Sequence, residues 1–187
     1  MPTSPLAYLS YAYPDNADGF VNQLQERLAQ ELQIQTGEPA GVVWDLDRMR
    51  PGGPWSTQVE EMVKRAKFLI AVVSPSYFNS EFCRKEFKAF LEKEQRTGRT
   101  LIFPVYYVGT GEFEDTKTRD QDVWATTLKS RPVADLRMYR FDLQRSTNSK
   151  PIIASLVKSI LDENAQLPTT QLSVLGVGRI TERPSRR

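Results

Sequence analysis

Residues 68–73 read Phe-Leu-Ile-Ala-Val-Val, six apolar side chains in a row. Successive side chains of a strand point to opposite faces, so a strand with one wet face alternates apolar with polar. A strand that is apolar at every position needs cover on both sides. That is the setting of a central strand in a parallel sheet with helices on each face. The rest of the chain supplies them. Leu6 to Tyr11 predicts a first strand, and Asp15 to Asp18 supply capping residues for a helix. Phe20, Val21, Leu24, Leu28 and Leu32 recur at helical spacing, and Gly37 and Pro39 end that helix. Val42-Val43-Trp44 predicts a second short strand, followed by the turn-rich loop Asp45 to Pro54. Trp55, Val59, Met62, Val63 and Ala66 mark a second helix, and Ser80 to Thr97 a third. Thr100 to Tyr107 predicts a fourth strand, in which Pro104 lacks a ladder donor and points to a bulge or local irregularity. A polar loop from Gly109 to Asp122, a short helix at Val123 to Lys129, a weak strand at Arg137 to Phe141 and a helix at Ile152 to Leu161 complete the series.

Strand and helix alternate five times, which predicts an α/β fold with a five-stranded parallel sheet, flavodoxin-like and doubly wound into a three-layer sandwich. At 187 residues the chain is one domain with a tail. The expected division is residues 1–165 for the domain and 166–187 for a disordered tail or linker. In such a sheet, ligands bind outside the carboxyl ends of the strands, at the switch point between the first and third. The segments to watch are therefore Ser10 to Asp15 and Ser74 to Ser80.

The chain contains no histidine and a single cysteine, Cys83. This excludes Ser-His-Asp and Cys-His nucleophile systems, an ordinary zinc site and an internal disulfide framework. Any catalysis must rest on carboxylates, hydroxyls, Lys, Arg or a cofactor. No apolar run reaches the roughly 18 residues of a membrane span, and no secretory segment is visible, so a cytoplasmic location is expected, with no membrane partner. Of the net charge of +2, the segment after Pro168 carries +3, leaving −1 for the body. A near-neutral body has no electrostatic footprint for nucleic acid.

The third helix carries the most informative residue. Phe82, Cys83, Glu86 and Phe90 fall within an arc of about 100°, which places Glu86 on the edge of an apolar stripe. A carboxylate there is either a functional group or the partner of Arg84, Lys88 or a backbone amide at the stripe's rim. Ser10, Tyr11 and Tyr13 follow the first strand, where they either hold a polar ligand or pack the loop. The loop containing Asp45, Asp47, Arg48, Arg50, Gly52 and Gly53 reads equally as a mobile lid or contact surface and as an ordinary polar turn. Asp45 and Asp47 are not followed by calcium-ligating positions, so no metal site is expected. A receiver-type phosphoacceptor needs acidic residues at the end of strand one and an aspartate ending strand three. Ser10-Tyr11 and Ser74 stand there instead. No Gly-x-Gly-x-x-Gly follows the first strand, which excludes a Rossmann dinucleotide site.

These segments resemble the Toll/interleukin-1 receptor (TIR) domain family over about residues 5 to 163. Leu9-Ser10-Tyr11-Ala12 is similar to the family's first box, and Asp45 through Gly52 to Trp55 to its second. Ser74-Pro75-Ser76-Tyr77-Phe78 and Ser80 to Glu86 resemble the stretch leading into the helix that bears the family's glutamate, and Phe103-Pro104-Val105 the signature of its fourth strand. The resemblance implies the bacterial, NAD-cleaving type of TIR domain, acting in antiphage immunity. Its reaction breaks the nicotinamide–ribose bond of NAD+, giving nicotinamide and ADP-ribose or a cyclic isomer, with NAD+ as substrate and no cofactor. Glu86 would be catalytic. Ser10, Tyr11, Ala12 and Phe82 would line the nicotinamide–ribose pocket, with Phe82 standing where the family's enzymes usually have tryptophan. Asp45, Arg48, Arg50 and Trp55 would belong to the mobile loop, and Ser74 and Tyr77 to the pocket floor or rim. The resemblance also implies activation by TIR self-association, under a sensor domain or partner protein. The alternative within the same family is a non-catalytic module that only binds other TIR domains.

Overall fold

A computed structural model describes residues 5–38, 41–43, 57–115 and 122–167. Five strands form one parallel sheet: β1 (Ala7–Ser10), β2 (Val42–Val43), β3 (Phe68–Val73), β4 (Ile102–Tyr106) and β5 (Ala134–Asp135), in the order β2-β1-β3-β4-β5. This is the doubly wound order expected from the sequence, with its switch point between β1 and β3. All six residues of β3 are buried, as their apolar run requires.

Between the strands lie α1 (Phe20–Thr36), α2 (Thr57–Arg65), the single turn α3 (Pro75–Phe78), α4 (Glu81–Thr97), α5 (Gly111–Glu114), α6 (Val123–Lys129) and α7 (Lys150–Gln166). Right-handed crossovers put α1, which leads one way along the sheet, and α2 and α4, which lead the other, on opposite faces. The contacts agree: α1 packs on α7, and α2 packs on α4. In α1 the buried residues are Phe20, Val21, Leu24, Leu28 and Leu32, the stripe read from spacing. Gly37 ends that helix with φ 73°, a left-handed angle that costs glycine nothing, and its N–H returns to Gln33.

Four expectations need correction. The strand expected at Arg137 to Phe141 is instead a 3-10 turn (Arg137–Tyr139), and β5 lies just before it. Met138 and Phe141 face solvent, while the residues that bury themselves are Ala134 and Leu136. Pro104 causes no bulge, because the β3–β4 register runs unbroken from Leu69↔Ile102 through Ala71↔Pro104 to Val73↔Tyr106. The Tyr107 amide bonds to Val73 on the β3 side, so the even-numbered amides of β4 face β5, and β5 begins pairing only opposite Val105. The missing donor of Pro104 falls where there is no ladder. The loop expected from Gly109 to Asp122 contains α5, pinned by the buried Phe113. Finally, Asp15 does not cap α1. It lies in a 3-10 turn (Tyr13–Asn16) with its side chain buried, and the Asn16 side chain instead accepts the amides of Val21 and Asn22.

Candidate functional site: a buried glutamate at the switch point

Glu86 is 0% exposed. Two hydroxyls from β1 hold its carboxylate: Tyr8 donates to Oε1 at 2.9 Å and Ser10 donates to Oε2 at 2.5 Å. Tyr8 and Ser10 are two apart on one strand, so both side chains point to the face that α4 covers. The residues expected to pair with Glu86 at the helix rim do not face it. Arg84 lies over the Trp124 ring at 4.8 Å, and Lys88 is exposed. The stripe is also rotated from its expected position. Cys83, Glu86, Phe87, Phe90 and Glu94 are buried, whereas Phe82 is half-buried, with the Lys85 ammonium 5.8 Å from its ring centroid.

Local sequence fixes how α4 enters the site. Ser80 caps the helix by accepting the Cys83 amide at 3.3 Å, so Glu86 sits in the second turn, one turn after Phe82. At the far end of α4, Lys93 donates to three carbonyls at the end of α2 and the start of β3, those of Val63, Lys64 and Ala66, at 2.7 to 3.1 Å. Glu94 accepts the amides of Leu101 and Ile102 at 2.7 and 3.0 Å and pairs with Arg131 at 2.5 Å. The helix that carries Glu86 is therefore tied at its carboxyl end to three neighbouring segments.

The carboxyl end of β3 contributes the other wall. Ser74 is extended and caps α3, accepting the Tyr77 amide at 3.0 Å. Tyr77 is fully buried, with its Oη 3.5 Å from Ser10 Oγ and its ring 5.1 Å from that of Trp124. Ser74 Oγ donates to Asp15 Oδ2 at 2.6 Å. Burial pushes the Asp15 carboxyl up to about 6 from its ordinary 3.8, against the lowering effects of Ser74 and of the Ala12 amide.

Of the residues expected to form the site, the structure brings Ser10, Ser74, Tyr77 and Glu86 into one hydrogen-bonded group. Tyr11 and Ala12 are buried beside it, each 4% exposed. Phe82, half-buried, lies one turn before Glu86 on the same helix. Asp45, Arg48, Arg50 and Trp55 lie outside the described residues. Cys83 is buried and unoxidised, as a small core residue. Two members were missed from sequence. Tyr8 could have been found as the second hydroxyl on the Ser10 face of β1, but Asp15 looked like a helix cap. Among the described residues, no group of three acidic or cysteine side chains could hold a metal, and no helix is long and apolar enough to cross a membrane. A cleft of about 410 Å³ lies between β5 and the first half of α7, lined by Phe103, Val133 and Ile152 among others. None of the expected site residues lines it.

One similar solved structure is that of the activated Roq1 resistosome directly recognising the pathogen effector XopQ, in its TIR domains. The identity is 17% over 83% of this chain and 82% of that one, with a TM-score of 0.43. A search of curated proteins finds no match. Residues 8–147, three quarters of the chain, match the sequence pattern described as the TIR domain, and they include both β1 and the glutamate helix. The chain belongs to the TIR domain family.

Proposed function

We propose that this TIR domain cleaves the nicotinamide–ribose bond of NAD+, with Glu86 as the catalytic carboxylate. The observation that carries the reading is a fully buried glutamate at the switch point of the sheet, where doubly wound folds bind ligands. Nicotinamide departs from a cationic ring nitrogen. When the C1′–N bond breaks, its electron pair neutralises the pyridinium, so no proton donor is needed. A chain without histidine is equipped for that step. The oxocarbenium-like C1′ that remains is stabilised by a carboxylate, as in glycoside hydrolysis. Attack by water gives ADP-ribose, attack by a nitrogen of the adenine gives a cyclic isomer, and in either case the attacking group releases one proton to solvent. Ser10, Tyr11, Ala12 and Phe82 would surround the nicotinamide riboside, with Ser74 and Tyr77 beneath it and Asp45, Arg48, Arg50 and Trp55 on the loop after β2.

With Glu86 at 0% exposure, substrate must enter a rearranged site. Self-association of the domain would supply the rearrangement, and a sensor domain or partner would control it. On this reading the activity resides in residues 1–165 and serves bacterial antiphage defence through NAD+ loss or a nucleotide signal. The test is incubation of concentrated, crowded protein with NAD+, with light scattering to show that it assembles and mass spectrometry to resolve products. Nicotinamide release by the native chain, lost in Glu86→Gln, is expected. No release from assembled protein refutes the reading.

One observation favours a second reading. Both Glu86 carboxylate oxygens accept hydroxyl hydrogen bonds within the domain, as a structural tie between β1 and α4 would. The chain would then be a non-catalytic module that signals through TIR–TIR contacts. In that case Glu86→Gln lowers stability and leaves NAD+ untouched at every protein concentration.

A further inference from the structure

The chemistry assigned to Glu86 makes no use of a second buried carboxylate in the same crevice. Asp15 is 6% exposed and follows β1 by five residues. Its carboxylate accepts from Ser74 Oγ at 2.6 Å and from the Ala12 amide. Ser74 accepts the Tyr77 amide at 3.0 Å, Tyr77 Oη lies 3.5 Å from Ser10 Oγ, and Ser10 donates to Glu86 at 2.5 Å. Asp15 and Glu86 thus end one continuous run of contacts across the carboxyl ends of β1 and β3.

We propose that Asp15 is a positioning residue of the Glu86 site, acting through Ser74 and the first turn of α3 to hold the Tyr77 phenol against the hydroxyl that serves Glu86. Its consequence for turnover rests on the NAD+-cleaving reading; its geometry does not. An ionised Asp15 accepts a charge-assisted hydrogen bond from Ser74 Oγ, which fixes the serine rotamer that caps the turn by accepting the Tyr77 amide. A protonated Asp15 is a weaker acceptor, so the hold on that rotamer weakens and the turn loosens. Burial brings this change to about pH 6. Among the described residues, the titratable groups joined to Asp15 are Tyr107 at the end of β4, which Asp18 and Arg140 also influence, and, along the run of contacts, Tyr77 and Glu86. Tyr107 is pushed up mainly by its own burial, further by Asp15 and Asp18, and is opposed by Arg140. This burial moves Tyr107 further up from its ordinary value, away from this range.

Trp124, packed 5.1 Å from Tyr77, reports the link without reference to turnover. Its fluorescence is followed from pH 4.5 to 8 in a Trp44→Phe, Trp55→Phe background. Nicotinamide release is followed over the same range in the chain that keeps all three tryptophans. The expected result is a fluorescence transition near pH 6 in the parent that is absent in Asp15→Asn and in Ser74→Ala. In turnover, the parent loses activity below the same midpoint. Asp15→Asn has kcat lowered about tenfold at pH 7.5, KM within about twofold and a flat profile. A fluorescence transition that persists in Asp15→Asn overturns the proposal, as does an unchanged acid limb in that variant. If Asp15→Asn does not fold, Ser74→Ala decides, since it keeps the carboxylate and cuts the link; a persisting transition there overturns the proposal equally. If even the parent releases no nicotinamide, the NAD+-cleaving reading falls, and the fluorescence alone settles the Asp15 link.

Discussion

The tie between β1 and α4 gives a sharp test of the packing. In Tyr8→Phe the ring is retained and one hydroxyl is lost, from a side chain that is fully buried and donates to Glu86 at 2.9 Å. The cavity left is smaller than a methyl group, so the cost is that of the hydrogen bond. A hydrogen bond to a charged partner contributes about 1.5–3 kcal/mol, and about 2 kcal/mol is expected here because Ser10 still serves the other oxygen. For a domain of this size that lowers Tm by roughly 4–8 °C. Urea unfolding followed by circular dichroism measures it, with an unchanged m value showing that the two end states keep their compactness. The decisive arm is a double-mutant cycle with Glu86→Met. With the carboxylate gone, the Tyr8 hydroxyl has lost this acceptor, and Tyr8→Phe should cost clearly less than in the native background. A loss below about 0.5 kcal/mol in the native background, or an equal loss in both backgrounds, refutes the assignment of that hydrogen bond as the tie.

Three further outcomes follow from the geometry. The folded Asp15 carboxyl sits at about 6 against 3.8 unfolded, so the native state holds its proton more tightly; this contribution to stability is greatest below pH 4 and is lost as pH rises through 6. Across that window, urea midpoints should show the native chain losing about 3 kcal/mol relative to Asp15→Asn, and parallel curves for the two would contradict the burial of a titrating carboxylate. Lys93→Met removes three carbonyl contacts at the end of α2 and should cost about 2 kcal/mol, with faster hydrogen exchange confined to that end. Glu94→Ala strands the Leu101 and Ile102 amides and the Arg131 guanidinium, and should cost about 3–5 kcal/mol by urea unfolding.

What could be read from the sequence was what depends on local pattern. The unbroken apolar run of β3 forces a two-sided cover, and from that the sheet, its order and its switch point follow. Glu86 was found because helical phase alone places it among apolar residues. Its partners were not found, because they lie 76 and 78 positions away and the packing of α4 on β1 selects them. The rim cations expected to pair with it turn instead to Trp124 and to solvent. Asp15 misled for a related reason: its type and place before a helix suit a cap, and only the approach of Ser74 from β3 makes it an interior group. β5 was missed because a two-residue strand has no period to detect. The stretch taken for it, Arg137 to Phe141, opens with a turn in which the Leu136 carbonyl accepts the Tyr139 amide at 2.9 Å. Arg137 bridges Asp135 and Glu114 while its guanidinium covers the Tyr106 ring at 4.2 Å.

Pro104 has a consequence beyond the domain itself. Its missing amide faces the side from which β5 approaches, so pairing cannot extend backwards past Val105, and Pro132 stands on the facing segment. The outer border of the sheet at this side is therefore two residues long. A free border of that length offers a passing unfolded chain too few unpaired amides and carbonyls to template a sixth strand. For a domain proposed to work by crowding against copies of itself, this matters. The two prolines limit backbone pairing between copies at this border, so that contact there rests on side chains, which can discriminate and let go, and not on an adhesive ribbon that would grow without limit.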